Sequence, residues 1–187
     1  MALPEFLAVG HISKDIINGK FRLGGATAYA ALTARNLGKR AAVITAVGPE
    51  LELELDLDGV ALHRLRSRAT TTFENVYRDG QRIQYLHAVA RRIGPEDIPE
   101  GWRRALLVHL GPIAQGVDEE LVEAFPNALI GHTPGMDARL GREGSCLLPR
   151  MAGGQAGPVR ISMVIFSEED APESEALARQ YSIFDAH

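Results

Sequence analysis

Short apolar runs alternate with turn signals along most of the chain. Phe6 to Val9 is a continuous apolar run closed by Gly10, the pattern of a strand buried on both faces of a parallel sheet. Asp15 to Leu23 places Ile16, Ile17, Phe21 and Leu23 around Asn18-Gly19, a strong two-residue hairpin signal. Gly24-Gly25 then opens Ala26 to Leu37, where alanines, Tyr29 and Leu32 predict a helix, tightly packed and buried, with Gly38 placed to cap it. Ala41 to Val47 is a second β-rich run, so strand, helix and strand follow in order, and such parallel crossovers are nearly always right-handed.

Val60 to Leu65 predicts a further strand, and Thr70 to Tyr77 with Gln81 to Leu86 flank Asp79-Gly80 as a second hairpin whose alternating residues leave one face wet or over a ligand. Leu106 to Leu110 and Ala128 to Ile130 bracket an acidic-started helix, Asp118 to Phe125. Periodicity dissolves between Gly135 and Pro158 and returns with a strand at Ile161 to Phe166 and a helix at Glu173 to Tyr181. The prediction is one α/β domain, residues 1–187, doubly wound around a mostly parallel sheet. It is incomplete at its C-terminus, where another strand is expected after His187.

Composition narrows the class. At 187 residues, 45% apolar and 24% charged, the chain suits a single folded domain. A net charge of -4 with scattered basic residues argues against a nucleic-acid partner. The single cysteine, Cys146, cannot form an internal disulfide, and no Cys/His spacing matches a structural zinc site. Met1 to Gly10 lacks a secretory n-region, and no apolar run reaches membrane-spanning length, so a cytoplasmic protein with no membrane partner is expected.

Two features carry candidate chemistry. Gly24-Gly25 before a helix lets the backbone approach a ligand at a helix N-terminus with free N–H groups, although the pair alone reads more readily as a tight strand-to-helix turn. Asp15 follows the first strand, at the carboxyl end where ligands of open α/β sheets collect; its carboxylate can accept two hydrogen bonds from vicinal hydroxyls, or simply be solvated in a loop.

The run Leu7-Ala8-Val9-Gly10-His11-Ile12-Ser13-Lys14-Asp15, followed by Leu23-Gly24-Gly25-Ala26-Thr27-Ala28-Tyr29-Ala30-Ala31-Leu32 and Asn36-Leu37-Gly38, resembles the opening of the ribokinase-like family, the phosphofructokinase B type carbohydrate kinases. The resemblance covers most of residues 5 to 134 and returns at Ser162 to Tyr181. It implies a Rossmann-like domain with a small β-lid over a sugar or cyclic polyol, ATP and Mg2+ as cofactors, and phosphoryl transfer to a substrate hydroxyl. By similarity Asp15 holds sugar hydroxyls, Gly24 and Gly25 lie against the sugar, and segments near 15–23 and 70–87, with Asn18, Glu74 and Asn75, build the lid. A homodimer through that lid is also implied. Tyr29 stands where many relatives carry a ligand-binding asparagine; it resembles an inositol-type subgroup, or serves helix packing.

Two further departures matter. The family's magnesium-positioning Asn-x-x-Glu corresponds to Ser167-Glu168-Glu169-Asp170, of which only the acidity survives; Asp170 with Glu169 are the candidate metal ligands, or an acidic helix start. The Gly-Ala-Gly-Asp-like turn that supplies anion hole and catalytic base has no counterpart before His187, so no catalytic residue is assigned. Gly153-Gly154-Gln155-Ala156-Gly157 lacks the helix and Lys-Ser/Thr of a phosphate loop. His63, His109 and His132 are spaced irregularly and read as core or surface residues rather than ligands. The expectation is a carbohydrate kinase represented by its substrate-binding portion. The alternatives are a non-catalytic polyol-binding or regulatory protein, and an inactive fragment.

Overall fold

The computed structural model describes residues 3–53, 57–78, 81–133 and 161–165, and the helical positions 175, 178 and 179. Its strands are β1 (Phe6–Val9), β2 (Ser13–Ile17), β3 (Lys20–Gly24), β4 (Ala41–Val47), β5 (Ala61–Arg66), β6 (Thr72–Arg78), β7 (Gln81–Ala88), β8 (Leu107–Leu110), β9 (Leu129–His132) and β10 (Ile161–Val164); helix α1 spans Ala26–Asn36. They form a six-stranded sheet in the order β10-β9-β8-β1-β4-β5 and a four-stranded sheet in the order β3-β2-β6-β7. All pairings in the larger sheet are parallel. The expected doubly wound α/β class is what the chain adopts.

Burial follows from the apolar runs. Every residue of β4 is buried, as a central strand covered on both faces requires. One face, with Leu7, Val9 and Ile44, packs under Ile93, Ile98, Trp102, Leu121 and Phe125; the other, with Ala8 and Val43, packs under Ala28, Ala31, Leu51, Leu53 and Leu57. Helix α1 therefore buries one stripe, Thr27, Ala28, Ala31 and Ala34, rather than most of its surface, and Tyr29 is 60% exposed. Small side chains serve close approach on that stripe alone.

The segment predicted as the helix Asp118 to Phe125 is instead a 3-10 helix over Glu119–Ala124, with the Asp118 carboxylate accepting from the Glu120 amide. Six residues bounded by Pro126 are too few for the cooperative α-helical ladder. Asn18-Gly19 makes the expected two-residue hairpin with both φ positive, 50° and 71°. The tip of the second hairpin, Asp79-Gly80, lies outside the described residues, as do Cys146, the Gly135 to Pro158 stretch, Gly153 to Gly157, and Glu169 and Asp170.

Unforeseen was the way the two hairpins join. β2 pairs with β6 in parallel, Lys14 to Thr72 through Ile17 to Asn75, which fuses the hairpins into one sheet standing on the carboxyl ends of β1, β4 and β8.

Candidate functional site

Asp15 lies in β2, not in a loop after β1. The first strand ends at Val9, and Gly10 to Ile12 cross into the four-stranded sheet before Asp15 is reached. Strand register sorts that sheet's side chains. Asp15 is beside Phe73 and opposite Arg22, and Ile17 is beside Asn75, so these share one face with Ser13, Gly24, Gln84 and Leu86. Phe73 is buried against Ile113 and Ala114 of the loop after β8, which makes this the face turned toward the six-stranded sheet. Ile16, Phe21, Glu74, Val76, Ile83 and Tyr85 occupy the opposite, outer face.

On the inner face the Asp15 carboxylate accepts a hydrogen bond from the Ser13 hydroxyl at 2.8 Å. It also lies against Gly24: a Cβ there would stand 2.4 Å from Asp15 Oδ2 and 2.5 Å from Ser13 Oγ. Gly24 is thus kept bare by a carboxylate. Gly25, the N-cap of α1, has φ +94°, a backbone state that side chains disfavour, and its Cβ would sit 2.6 Å from the His11 carbonyl. No side chain caps α1 and none of its first-turn residues is acidic, so the helix presents its amide end beside Asp15.

The remaining predicted residues divide. Asn75 is buried and accepts from the Gln84 amide at 2.7 Å on the inner face. Its neighbour Glu74 points outward to His87 at 2.8 Å, so the structure does not bring Glu74 to Asp15. Asn18 is at the turn, five residues of strand away from Ser13. The Tyr29 hydroxyl donates to the Leu23 carbonyl at 2.9 Å, which ties the exposed edge of α1 to the end of β3. Among the described residues no group of three His, Cys, Asp or Glu side chains is arranged to hold a metal.

Several buried polar residues around this end were not singled out by the sequence. His11, Ser13, Thr45, Thr70 and Thr71 are all buried where the two sheets meet. The Thr70 hydroxyl accepts from Gly48 N–H, and Glu50 accepts from Thr70 N–H. Burial alone would raise the Glu50 pKa; hydrogen bonds from its own amide and from Thr70, with the Lys14 charge, outweigh it and hold the carboxyl below its usual value. Ala114 and Gln115 carry successive positive φ values, 51° and 58°, and turn Ala114 beneath Phe73. The available signal was a polar residue directly after an apolar strand run at Gly10-His11, and the threonine cluster Thr70-Thr71-Thr72 at the entry to β6.

Two cavities lie away from Asp15. One of about 560 Å³ is lined by Leu3, Lys39, Leu106 and Leu129 at the amino ends of the strands, and one of about 50 Å³ by Leu110, Asp118, Val122 and His132.

No protein-family model matches the chain, and neither does any curated protein. Solved structures do. A pyrophosphate-dependent kinase of the ribokinase family, complexed with a pyrophosphate analogue and myo-inositol, is 25% identical with a TM-score of 0.58, over 71% of this chain and 50% of that one. The sulfate complex of a pyrophosphate-dependent kinase of the ribokinase family is 26% identical with a TM-score of 0.57, over 69% and 50%. The chain has the ribokinase-like fold. A fructokinase with bound ATP from Xylella fastidiosa shares that fold at 16% identity and a TM-score of 0.51, over 70% and 49%. The chain spans about half the length of these ribokinase-like structures. No helix among its described residues is long and apolar enough to cross a membrane.

Proposed function

We propose that this chain carries the acceptor-binding face of a carbohydrate kinase whose acceptor is a sugar or cyclic polyol. The observation that carries the reading is the Asp15 carboxylate lying against Gly24 at the uncapped amide end of α1. A carboxylate accepts from vicinal hydroxyls and the helix end donates to oxygen, so together they suit a polyol ring laid across Gly24-Gly25. The four-stranded sheet acts as a lid, excluding water from transfer to the acceptor hydroxyl. The donor is ATP or pyrophosphate, since relatives of both kinds share the fold.

Titration calorimetry with myo-inositol and a panel of hexoses tests the reading. Saturable binding of a polyol by wild type, weakened tenfold or more in Asp15→Asn, is the expected result. The absence of binding across the panel, or equal affinities in the two proteins, refutes it. Phosphoryl transfer assayed from ATP and from pyrophosphate then separates a kinase from a polyol-binding protein.

The lid's outer face carries a second part of the proposal, a homodimer. Phe21, Ile83 and Tyr85 are 45%, 37% and 49% exposed there, on one side of the sheet. Such an apolar sheet face favours a partner. Sedimentation velocity should show a dimer for wild type and a monomer for Phe21→Glu; a wild-type monomer at micromolar concentration defeats the dimer.

A further inference from the structure

The four-stranded sheet is tied to the six-stranded one by the chain crossings β1 to β2, β3 to α1, β5 to β6 and β7 onward to β8. All of them converge on the fully buried ring of His11 or on its own backbone. His11 itself is in the first crossing. Its Nε2 lies 2.9 Å from the Arg91 carbonyl, in the crossing that leaves β7, and its Nδ1 lies 2.8 Å from Thr71 Oγ1, in the crossing that enters β6. The fourth crossing passes at Gly25, where any Cβ would meet the His11 carbonyl at 2.6 Å.

The hydrogen-bond polarity of this cluster is determined. A carbonyl only accepts, so Nε2 carries the proton and donates to Arg91; Nδ1 is then the acceptor, and the Thr71 hydroxyl donates to it. Thr71 Oγ1 in turn accepts from Ala90 N–H at 3.0 Å, and the Thr71 carbonyl accepts from Lys14 N–H at 2.8 Å. Gly116 fits only because it is bare, since its Cβ would fall 2.2 Å from the imidazole Cε1. Burial lowers the His11 pKa, with the Arg91 carbonyl opposing, which keeps the ring in the neutral form that this network needs.

We propose that His11 is the positioning residue of the lid: by pinning the crossings at one point it fixes the angle at which the four-stranded sheet stands over Gly25 and the start of α1. The proposal rests on reading that sheet as the cover of the acceptor site. Asp15 belongs to the four-stranded sheet, whereas α1 packs on β1 and β4 of the six-stranded one, so the distance between carboxylate and helix end depends on this joint. A ring bonded at both nitrogens to two different crossings is a stiff brace, unlike an apolar residue of equal volume.

Hydrogen-exchange mass spectrometry of the full chain, with wild type, His11→Ala, His11→Gln and Thr71→Val, tests it. In His11→Ala the amides of β2, β3, β6 and β7 should exchange at least tenfold faster while β1 and β4 keep their protection, and His11→Gln should recover part of the loss. Thr71→Val removes both hydroxyl bonds, to His11 Nδ1 and from Ala90 N–H, at nearly constant volume and carries the same comparison if His11→Ala does not fold. Equal acceleration in both sheets, or none, overturns the proposal. A myo-inositol and hexose titration of wild type and Thr71→Val separates the two readings. A loosened lid with weakened binding supports both, and a loosened lid with unweakened binding overturns the positioning role. A loosened lid on a wild type that binds no polyol overturns the acceptor site and leaves the joint standing.

Discussion

His109 shows how one buried side chain couples to solution conditions. It sits in β8 with Nε2 2.9 Å from the Thr133 hydroxyl and its ring stacked near Phe6. Burial, with the nearby His132 charge adding to it, lowers its pKa to about 4. An unfolded histidine titrates near about 6.5, so below that pH the unfolded chain takes a proton that the folded chain refuses until about 4. Stability is therefore at its full value above about pH 6.5 and falls as the pH drops from there toward 4, by up to about 3 kcal/mol at roughly 1.4 kcal/mol per pH unit. His11, also lowered by burial, acts with the same sign. Urea midpoints measured between pH 8 and 4.5 should trace this fall, and His109→Gln should flatten it; an unchanged slope assigns the dependence to other groups.

The entrance of α1 is decided at the scale of the element. Two glycines bound the helix, and the structure separates what each does. Gly38 has φ +77° with nothing within 4 Å of a built Cβ, so alanine there meets only the backbone penalty, about 1 kcal/mol. Gly25 has φ +94° and also the His11 carbonyl 2.6 Å from its Cβ position, so alanine meets strain and collision together. Gly25→Ala should cost about 2 kcal/mol or more, a melting temperature lower by roughly 5 °C, and Gly38→Ala about half that. Equal losses by thermal denaturation would mean that the close approach of helix and His11 contributes nothing. The hairpin at Asn18-Gly19 was legible because a two-residue turn is a local matter of backbone sterics. The 3-10 segment at Glu119–Ala124 was not, because its acidic start and apolar spacing are common to both helix types and its length is set by neighbouring strands.

For the whole molecule, crossover handedness assigns the layers. The steps β1 to β4 and β4 to β5 run one way along the sheet and are covered on the α1 side; the steps β5 to β8 and β8 to β9 run the other way and are covered on the Trp102 and Phe125 side. On the α1 side, β8, β9 and β10 thus present Leu107, Leu129 and Met163 at 40%, 62% and 59% exposure among the described residues. An apolar face of this kind drives association. Leu129→Gln should leave the melting temperature within about 2 °C of wild type, as surface substitutions do, while reducing light scattering on concentration. A loss of more than about 5 °C would show that other parts of the chain bury this face.

The sequence by itself determined the parts that depend on neighbours along the chain. These are the buried runs of β1 and β4, the Asn18-Gly19 turn, the existence of helix α1 after Gly25, and the order of strand and helix that fixes an α/β class. It also placed Asp15 and Gly24-Gly25 as candidates, through spacing that resembles ribokinase-like kinases. Only the tertiary structure decided that β2 and β6 pair in parallel across more than fifty residues of intervening chain, a contact with no local signature. That pairing turned Asp15 and Asn75 to one face and Glu74 to the other, set Asp15 beside Phe73, and gathered His11, Thr71 and Arg91 at one joint. The physical reason is that turns and periodicity are set by sterics within a few residues, whereas facing and polar partnership are set by register between strands that the sequence keeps far apart.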